Sequence, residues 1–260
     1  MSKVRYLVFT DLDGSLLDHD SYSWSLAHEA LQLLEQRQVA VIFNTSKTVA
    51  EVRGLQKAMG IRQPFITENG QVTTIPGEQQ QLHGLSYEAI RQILNEMRKQ
   101  HRFQFTGFGD CPAEQIVELT GLPLAEARLA ALRQASEPLV WQDSEEALQA
   151  FRQLLEKQGL LLHRGGRFFH VCGDSDKGRA TAHLVEQYKR KFPGTKWITI
   201  GLGDGMNDLP MLEAVDLPVL IRSDHGAAPD ISHLPDVLKT SEPGPAGWNQ
   251  AILQLLKNDE

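Results

Sequence analysis

The chain has 260 residues, of which 41% are hydrophobic and 23% charged, with a formal net charge of −7. That length supports one large core or two smaller ones, the composition is that of a folded domain rather than a disordered chain, and the acidic balance argues against a nucleic-acid partner. The compact basic cluster Lys189-Arg190-Lys191 falls where a helix C-terminus accommodates cations. No charged-then-apolar leader opens the sequence, and no apolar stretch approaches the roughly 18 residues of a membrane span, so a cytoplasmic protein with no membrane partner is expected. Cys111 and Cys172 lack metal-ligand spacing and read as small buried side chains. The histidines form no His-x-x-x-His pair.

The first apolar run, Tyr6-Leu7-Val8-Phe9, reads as a buried strand of a parallel sheet and closes into Thr10-Asp11-Leu12-Asp13-Gly14-Ser15. If the backbone stays extended through Leu12, the period of two sends Asp11 and Asp13 to one side, and Gly14 permits the turn that follows. Such a pair can hold a hard cation or divide nucleophile and acid roles; a plain surface turn is the alternative. A crossover helix over 23–36 carries Leu26, Ala27, Ala30, Leu31, Leu33 and Leu34, with Ser23 or Ser25 as its cap. A second strand over 39–43 runs into Asn44-Thr45-Ser46-Lys47 and a helix marked by Val49, Val52, Leu55 and Met59. Hydroxyls and a lysine between a strand end and a helix start suit an anion such as phosphate, although Thr and Ser are also ordinary caps. Apolar runs over 65–67 and 72–75 flank Glu68-Asn69-Gly70, a hairpin signal that would add an antiparallel arm to the sheet.

From about His83 the strand-crossover regularity is lost. Helical patterns over 87–100, 113–120, 124–135 and 144–157 alternate with short strand candidates near Phe103-Gln104-Phe105 and over 138–141, 160–163 and 168–172, the last two joined by Arg164-Gly165-Gly166-Arg167. This mixture suggests a small α+β domain inserted into the first. Regular organisation resumes with a helix from Lys177-Gly178, a strand over 197–202 ending in Gly203-Asp204-Gly205-Met206-Asn207-Asp208, a short helix over 209–214, a strand over 217–221 and a closing helix over 248–256. The segment 223–247, with its Pro and Gly content, reads as loops.

Four positions therefore carry polar groups suited to chemistry: Asp11 with Asp13, Thr45 to Lys47, Lys177, and Asp204 to Asp208. In this order they resemble the haloacid dehalogenase-like phosphatases, whose motifs are Asp-x-Asp-Gly, a Ser or Thr at a strand end, a Lys, and Gly-Asp-Gly-x-Asn-Asp. Thr45-Ser46-Lys47 departs from the Thr-Gly-Arg of many sugar phosphatases in this group and is similar to the pattern of the mannosyl-3-phosphoglycerate phosphatase family. Phe-Ile-Thr-Glu-Asn-Gly at 65–70, Ala135-Ser136-Glu137-Pro138 with Trp141, and Gly165-Gly166-Arg167-Phe168 with His170 look like that family too.

The resemblance implies an α/β fold: a Rossmann-like, mostly parallel sheet core over 1–82 and 174–260, with an inserted α+β cap domain over 83–173 that sets specificity. It implies a Mg²⁺-dependent phosphatase acting on mannosyl-3-phosphoglycerate through an aspartyl-phosphate. Glucosyl-3-phosphoglycerate or another sugar phosphate is the alternative substrate, a phosphomutase comes third, and a catalytically silent phosphosugar-binding regulator is the alternative of a different class. The need for a cation follows from charge: at an effective dielectric of ~20 and ~4 Å each unit pair repels by about 4 kcal/mol, so a carboxylate meeting a phosphate dianion meets about 8, close to six decades in rate. On the family pattern Asp11 is the nucleophile and Asp13 the acid and base. Asp11, Asp13 through its carbonyl, and Asp204 hold the metal, with Asp208 supporting that shell. Thr45, Ser46, Lys177 and Asn207 lie with the phosphate, while Lys47 is open to that role or to substrate binding. Arg164 and Arg167 have the chemistry to grip a glycerate carboxylate, with a solvated hairpin arginine as the alternative for Arg164, and His170 is a partner or a core histidine. The expected partner is a small glycosyl phosphoglycerate, and the expected state a monomer or homodimer.

Overall fold

A computed structural model describes residues 3–164, 168–224 and 229–257. Strand β1 (Lys3–Thr10) has Leu7, Val8 and Phe9 fully buried, as a strand covered on both faces requires. A 3₁₀ turn at Ser25–Ala27 leads into helix α1 (His28–Gln36), whose N-cap is Ala27 without a side-chain bond. The expected caps are elsewhere: Ser23 Oγ donates to Ser25 Oγ at 3.0 Å. β2 (Ala40–Asn44) precedes α2 (Val49–Met59), which starts at a Thr48–Glu51 capping box and stops at left-handed Gly60. β3 (Phe65–Thr67) and β4 (Val72–Thr74) are separated by a 3₁₀ turn at Glu68–Gly70 rather than by a two-residue hairpin loop. β5 (Gln81–Leu82) pairs antiparallel with β4.

Then come α3 (Tyr87–His101), β6 (Phe105–Gly107), α4 (Ala113–Thr120) and α5 (Leu124–Ala130). α5 stops five residues short of the helical pattern in the sequence, because the chain from Arg133 to Ser136 is bound instead by Glu68. β7 (Ser136–Trp141), α6 (Glu145–Glu156, capped by Ser144), β8 (Leu161–Arg164) and β9 (Phe169–Cys172) follow. α7 (Lys177–Lys191), β10 (Thr195–Gly203), α8 (Leu209–Glu213) and β11 (Leu217–Arg222) match their expected places. β12 (Leu238–Pro243) and the start of α9 (Gly244–Lys257) correct the reading of 223–247 as loops throughout.

The chain forms two compact units: Met1–Thr45 with Gln63–Ile66 and Asp176–Glu260, and Ser46–Arg62 with Thr67–Ser175. The second unit contains the whole of the expected 83–173 insertion and adds α2 and residues 67–82 to it. In the first unit, strands run in the order β12-β11-β10-β1-β2-β3 and all pair in parallel. The chain leaves β1 towards β2 on one side and returns to β10 on the other, so the order reverses at β1. Ligands of open parallel sheets bind beyond the carboxyl ends of the strands at such a reversal. In the second unit, β6-β7-β9-β8 form an antiparallel sheet. One face packs Phe105, Leu139, Leu162 and Val171 against Ile90 and Leu94 of α3 and Leu148, Phe151 and Leu155 of α6.

Candidate active site

The parallel register of β1 and β10 sets Thr10 opposite Leu202, and the Asp11 N–H donates to the Leu202 carbonyl at 2.9 Å. This brings the two acidic loops level at the sheet's end. β1 ends at Thr10 and the chain turns at Leu12, whose carbonyl accepts from Ser15 N at 3.1 Å and Leu17 N at 2.8 Å, so the backbone is not strand-like through Leu12 as expected. Gly14 has φ +80°, and a Cβ there would lie 2.7 Å from Asp204 Oδ2. Glycine thus permits both the turn and the approach of the second acidic loop. Ser15 Oγ donates to Asp204 Oδ1 at 3.2 Å across the same gap.

Lys177 opens α7 and is fully buried, and its Nζ donates to Asp11 Oδ1 at 2.7 Å and to Asp208 Oδ1 at 2.5 Å. A cation at a helix N-terminus faces an unfavourable dipole. Burial also works against its charge, but Asp11 and Asp208 outweigh it and hold the ammonium above the usual lysine range. Burial, then the charge of Asp208, lift Asp11 well above the usual carboxylate range despite Lys177. Burial and Asp208 push Asp204 up to about 6. Asp208 is itself fully buried, and its Oδ2 accepts from the N–H of Asp204 at 3.0 Å and of Gly205 at 2.8 Å. With Oδ1 on Lys177 and Oδ2 on these amides, Asp208 holds the Gly203–Asp208 loop in shape.

Asp11, Asp204 and Asp208 each offer a carboxylate oxygen, and these oxygens lie within 4.8 Å of one another. Three carboxylates around one lysine leave an excess of negative charge, which adds to burial in raising Asp11 and Asp204. Hard oxygen donors crowded in this way fit a small divalent cation.

Other side chains hold these groups in place, and sequence reading passed them over. Asn44 Nδ2 donates to the Lys177 carbonyl and to Thr181 Oγ1, both at 3.0 Å, tying the end of β2 to the first turn of α7. Trp248 Nε1 donates to Thr10 Oγ1 at 2.9 Å, and Thr10 Oγ1 donates to the Asp11 carbonyl at 2.7 Å. Asn44 was visible only as the neighbour of Thr45, and Trp248 only as a core aromatic of α9.

Of the residues singled out in the sequence, Asp11, Lys177, Asp204 and Asp208 meet directly. Asp13, half-buried, lies in the loop after β1, where it bridges to Leu17. Thr45 is fully buried at the end of β2, with its N–H on the Ile66 carbonyl at 3.1 Å. Asn207 lies in the 3₁₀ turn Met206–Asp208. Ser46, Lys47, Arg164 and His170 belong to the second unit. There Arg164 pairs with Phe169 and His170 with His163, so strand alternation puts Arg164 and His170 on opposite faces of that sheet. Arg164 shares its face with Leu162 and Val171, and its guanidinium lies 5.9 Å from the Phe169 ring. Arg167, with Gly165 and Gly166, lies outside the described residues.

A family model of haloacid dehalogenase-like hydrolases matches residues 8–114. Over 97% of its length the chain is 40% identical to the glucosyl-3-phosphoglycerate/mannosyl-3-phosphoglycerate phosphatase of Methanococcoides burtonii, covering 98% of that protein. The chain belongs to the mannosyl-3-phosphoglycerate phosphatase family of haloacid dehalogenase-like hydrolases. It is a phosphoric monoester hydrolase. A second family member, the protein of the same description from Persephonella marina, is 36% identical over 98% of each chain. The fold also matches that of a haloacid dehalogenase-like hydrolase from B. subtilis, with a TM-score of 0.67 at 20% identity over 96% of this chain and 99% of that one. Among the described residues no helix is long and apolar enough to cross a membrane.

Proposed function

We propose that the chain hydrolyses a glycosyl-3-phosphoglycerate, the mannosyl ester with the glucosyl ester as the alternative, through a phosphoryl group carried transiently on Asp11. The observation that carries this reading is the buried cluster of Asp11, Lys177, Asp204 and Asp208 at the reversal point of the sheet. The substrate class is supported by the descriptions of the two relatives, which cover nearly the whole chain.

In this reading an Asp11 oxygen attacks phosphorus, the ester P–O bond breaks, and the electron pair leaves on the glycerate oxygen, which takes a proton from Asp13. Asp13, now a carboxylate, takes a proton from water as the water oxygen attacks phosphorus, releasing inorganic phosphate and restoring Asp11. Lys177 favours the ionised, nucleophilic form of Asp11, against the burial that disfavours it. Lys177, Thr45, Ser46 and Asn207 offset the charge on the phosphoryl oxygens. Held by Asp11, Asp204 and the Asp13 carbonyl, Mg²⁺ would supply the positive charge that removes the carboxylate–phosphate repulsion. The inserted segment 83–173 is assigned the selection of the ester, read by Lys47, Arg167 and one of Arg164 and His170, whose side chains leave opposite faces of their sheet.

Acid quenching during turnover and mass spectrometry of the peptide containing Asp11 tests the scheme. A phosphate adduct is expected on wild type and neither adduct nor turnover on a folded Asp11→Asn variant. Retained turnover by that variant would sink the assignment of the nucleophile.

A further inference from the structure

Glu68 is fully buried, and it and Asn69 adopt left-handed backbone with φ of 53° and 56°. Non-glycine residues pay on the order of 1–2 kcal/mol each for that region, so two in succession call for compensating bonds. They are present. The Glu68 carboxylate accepts from Gln134 N at 2.8 Å, Ala135 N at 3.1 Å and Ser136 Oγ at 2.6 Å, and faces Arg133 Nε at 3.5 Å.

Arg133 is itself 9% exposed, and its Nη2 donates to Ser136 Oγ at 2.6 Å and to the Ser46 carbonyl at 3.1 Å. The Glu68 N–H donates to the next carbonyl, that of Lys47, at 3.0 Å. Thr48 Oγ1 donates to the Leu129 carbonyl at 3.0 Å. Two consecutive residues of the loop between β2 and α2, Ser46 and Lys47, are therefore tied to one buried hub inside the second unit, and the third, Thr48, is tied to α5. A buried carboxylate with three donors and a guanidinium is a costly device for joining loops, because each member left unpaired is penalised. Its cost is understandable where the position of a loop matters.

We infer that Glu68 and Arg133 are positioning residues for the reaction: by holding the carbonyls of Lys47 and Ser46 they set where the Ser46 and Lys47 side chains meet the glycosyl phosphoglycerate. This rests on the proposed reading of the substrate. Both residues act through the loop, and neither touches the reacting atoms.

A double-mutant cycle separates this role from a merely structural one. Steady-state kinetics with mannosyl-3-phosphoglycerate and p-nitrophenyl phosphate are compared for wild type, Glu68→Gln, Lys47→Ala and the double variant, with thermal unfolding as the control for folding. Glu68→Gln is expected to raise KM for the glycosyl ester about ten-fold, several times more than for the aryl ester, with a smaller change in kcat. In the Lys47→Ala background the same change is expected to cost less than about two-fold, because the side chain it positions is gone. Ser136→Ala, which removes the hydroxyl shared by Glu68 and Arg133, is expected to move KM in the same direction by a smaller factor, and it decides the matter should Glu68→Gln not fold. Equal losses on both esters, full additivity with Lys47→Ala, or unchanged kinetics in folded variants would overturn the inference. A wild type no better on the glycosyl ester than on p-nitrophenyl phosphate would fail the substrate reading by itself; the cycle, run on the ester turned over best, would still decide the clamp.

Discussion

Replacing Lys177 by Met keeps most of its volume and removes the charge that Asp11 and Asp208 share. With Nζ at 2.7 Å and 2.5 Å from the two carboxylates, each contact is worth on the order of 6 kcal/mol at an effective dielectric of ~20, before the desolvation of the three groups is set against it. Removing one partner of such a buried set has a net cost of about 3–5 kcal/mol, since the remaining charges stay buried without compensation. The sign with pH follows from Asp11, whose folded-state pKa is already raised. Without Lys177 it rises further, and a group with a raised folded pKa contributes stability that is present at low pH and lost as pH increases. Urea unfolding of wild type and Lys177→Met in EDTA from pH 5 to 8 should therefore show a deficit of about 3–5 kcal/mol at pH 8 that shrinks below about 2 kcal/mol near pH 5. A deficit independent of pH, or one under about 1 kcal/mol at pH 8, would refute the claim that Lys177 is the counter-ion of a crowded carboxylate cluster.

Other variants test other joints of the site. Gly14→Ala places a Cβ at φ +80° and 2.7 Å from Asp204 Oδ2, so calorimetric titration should show Mg²⁺ affinity reduced by at least about ten-fold, with the fold retained by circular dichroism. Trp248→Phe removes the indole donor to Thr10 Oγ1; a loss of about 1–2 kcal/mol by urea unfolding and a fall in kcat larger than any change in KM are expected. Burial, then Arg133 and His163, hold His170 down to about 3. Its neutral form is bound in the folded state, so the stability it contributes is present above about pH 6.5 and lost as pH falls towards 3. Between pH 8 and pH 5 wild type should lose about 2 kcal/mol that His170→Gln does not.

The polar loops of the candidate site were legible because each motif is local: Asp11 to Gly14, Thr45 to Lys47 and Asp204 to Asp208 lie within a few residues of the apolar strands that carry them. The parallel sheet follows from the same runs, since Leu7 to Phe9 and Ile200 to Leu202 are apolar without alternation. β12 escaped because an edge strand reading Leu238-Lys-Thr-Ser-Glu-Pro buries little and has no apolar period, as suits an edge guarded by charge and proline. The Glu68 hub escaped for a different reason. Its donors are 66–68 residues away in sequence, and a Glu-Asn-Gly turn reads locally as nothing more than a turn. The same distance effect hid the end of α5: helical spacing continues to Ala135, but the backbone amides of Gln134 and Ala135 bond to Glu68. Arg164 and His170, close in sequence and grouped by chemistry, are separated by the two-residue period of the strands that carry them.

The most direct test of the central claim is phosphate release in Mg²⁺ from mannosyl- and glucosyl-3-phosphoglycerate, simple hexose phosphates and an aryl phosphate, each repeated with EDTA. A kcat/KM for the glycosyl phosphoglycerates at least about a hundred-fold above the other esters, abolished by EDTA and restored by Mg²⁺, is expected. Comparable rates on every ester, or full activity in EDTA, would contradict that claim.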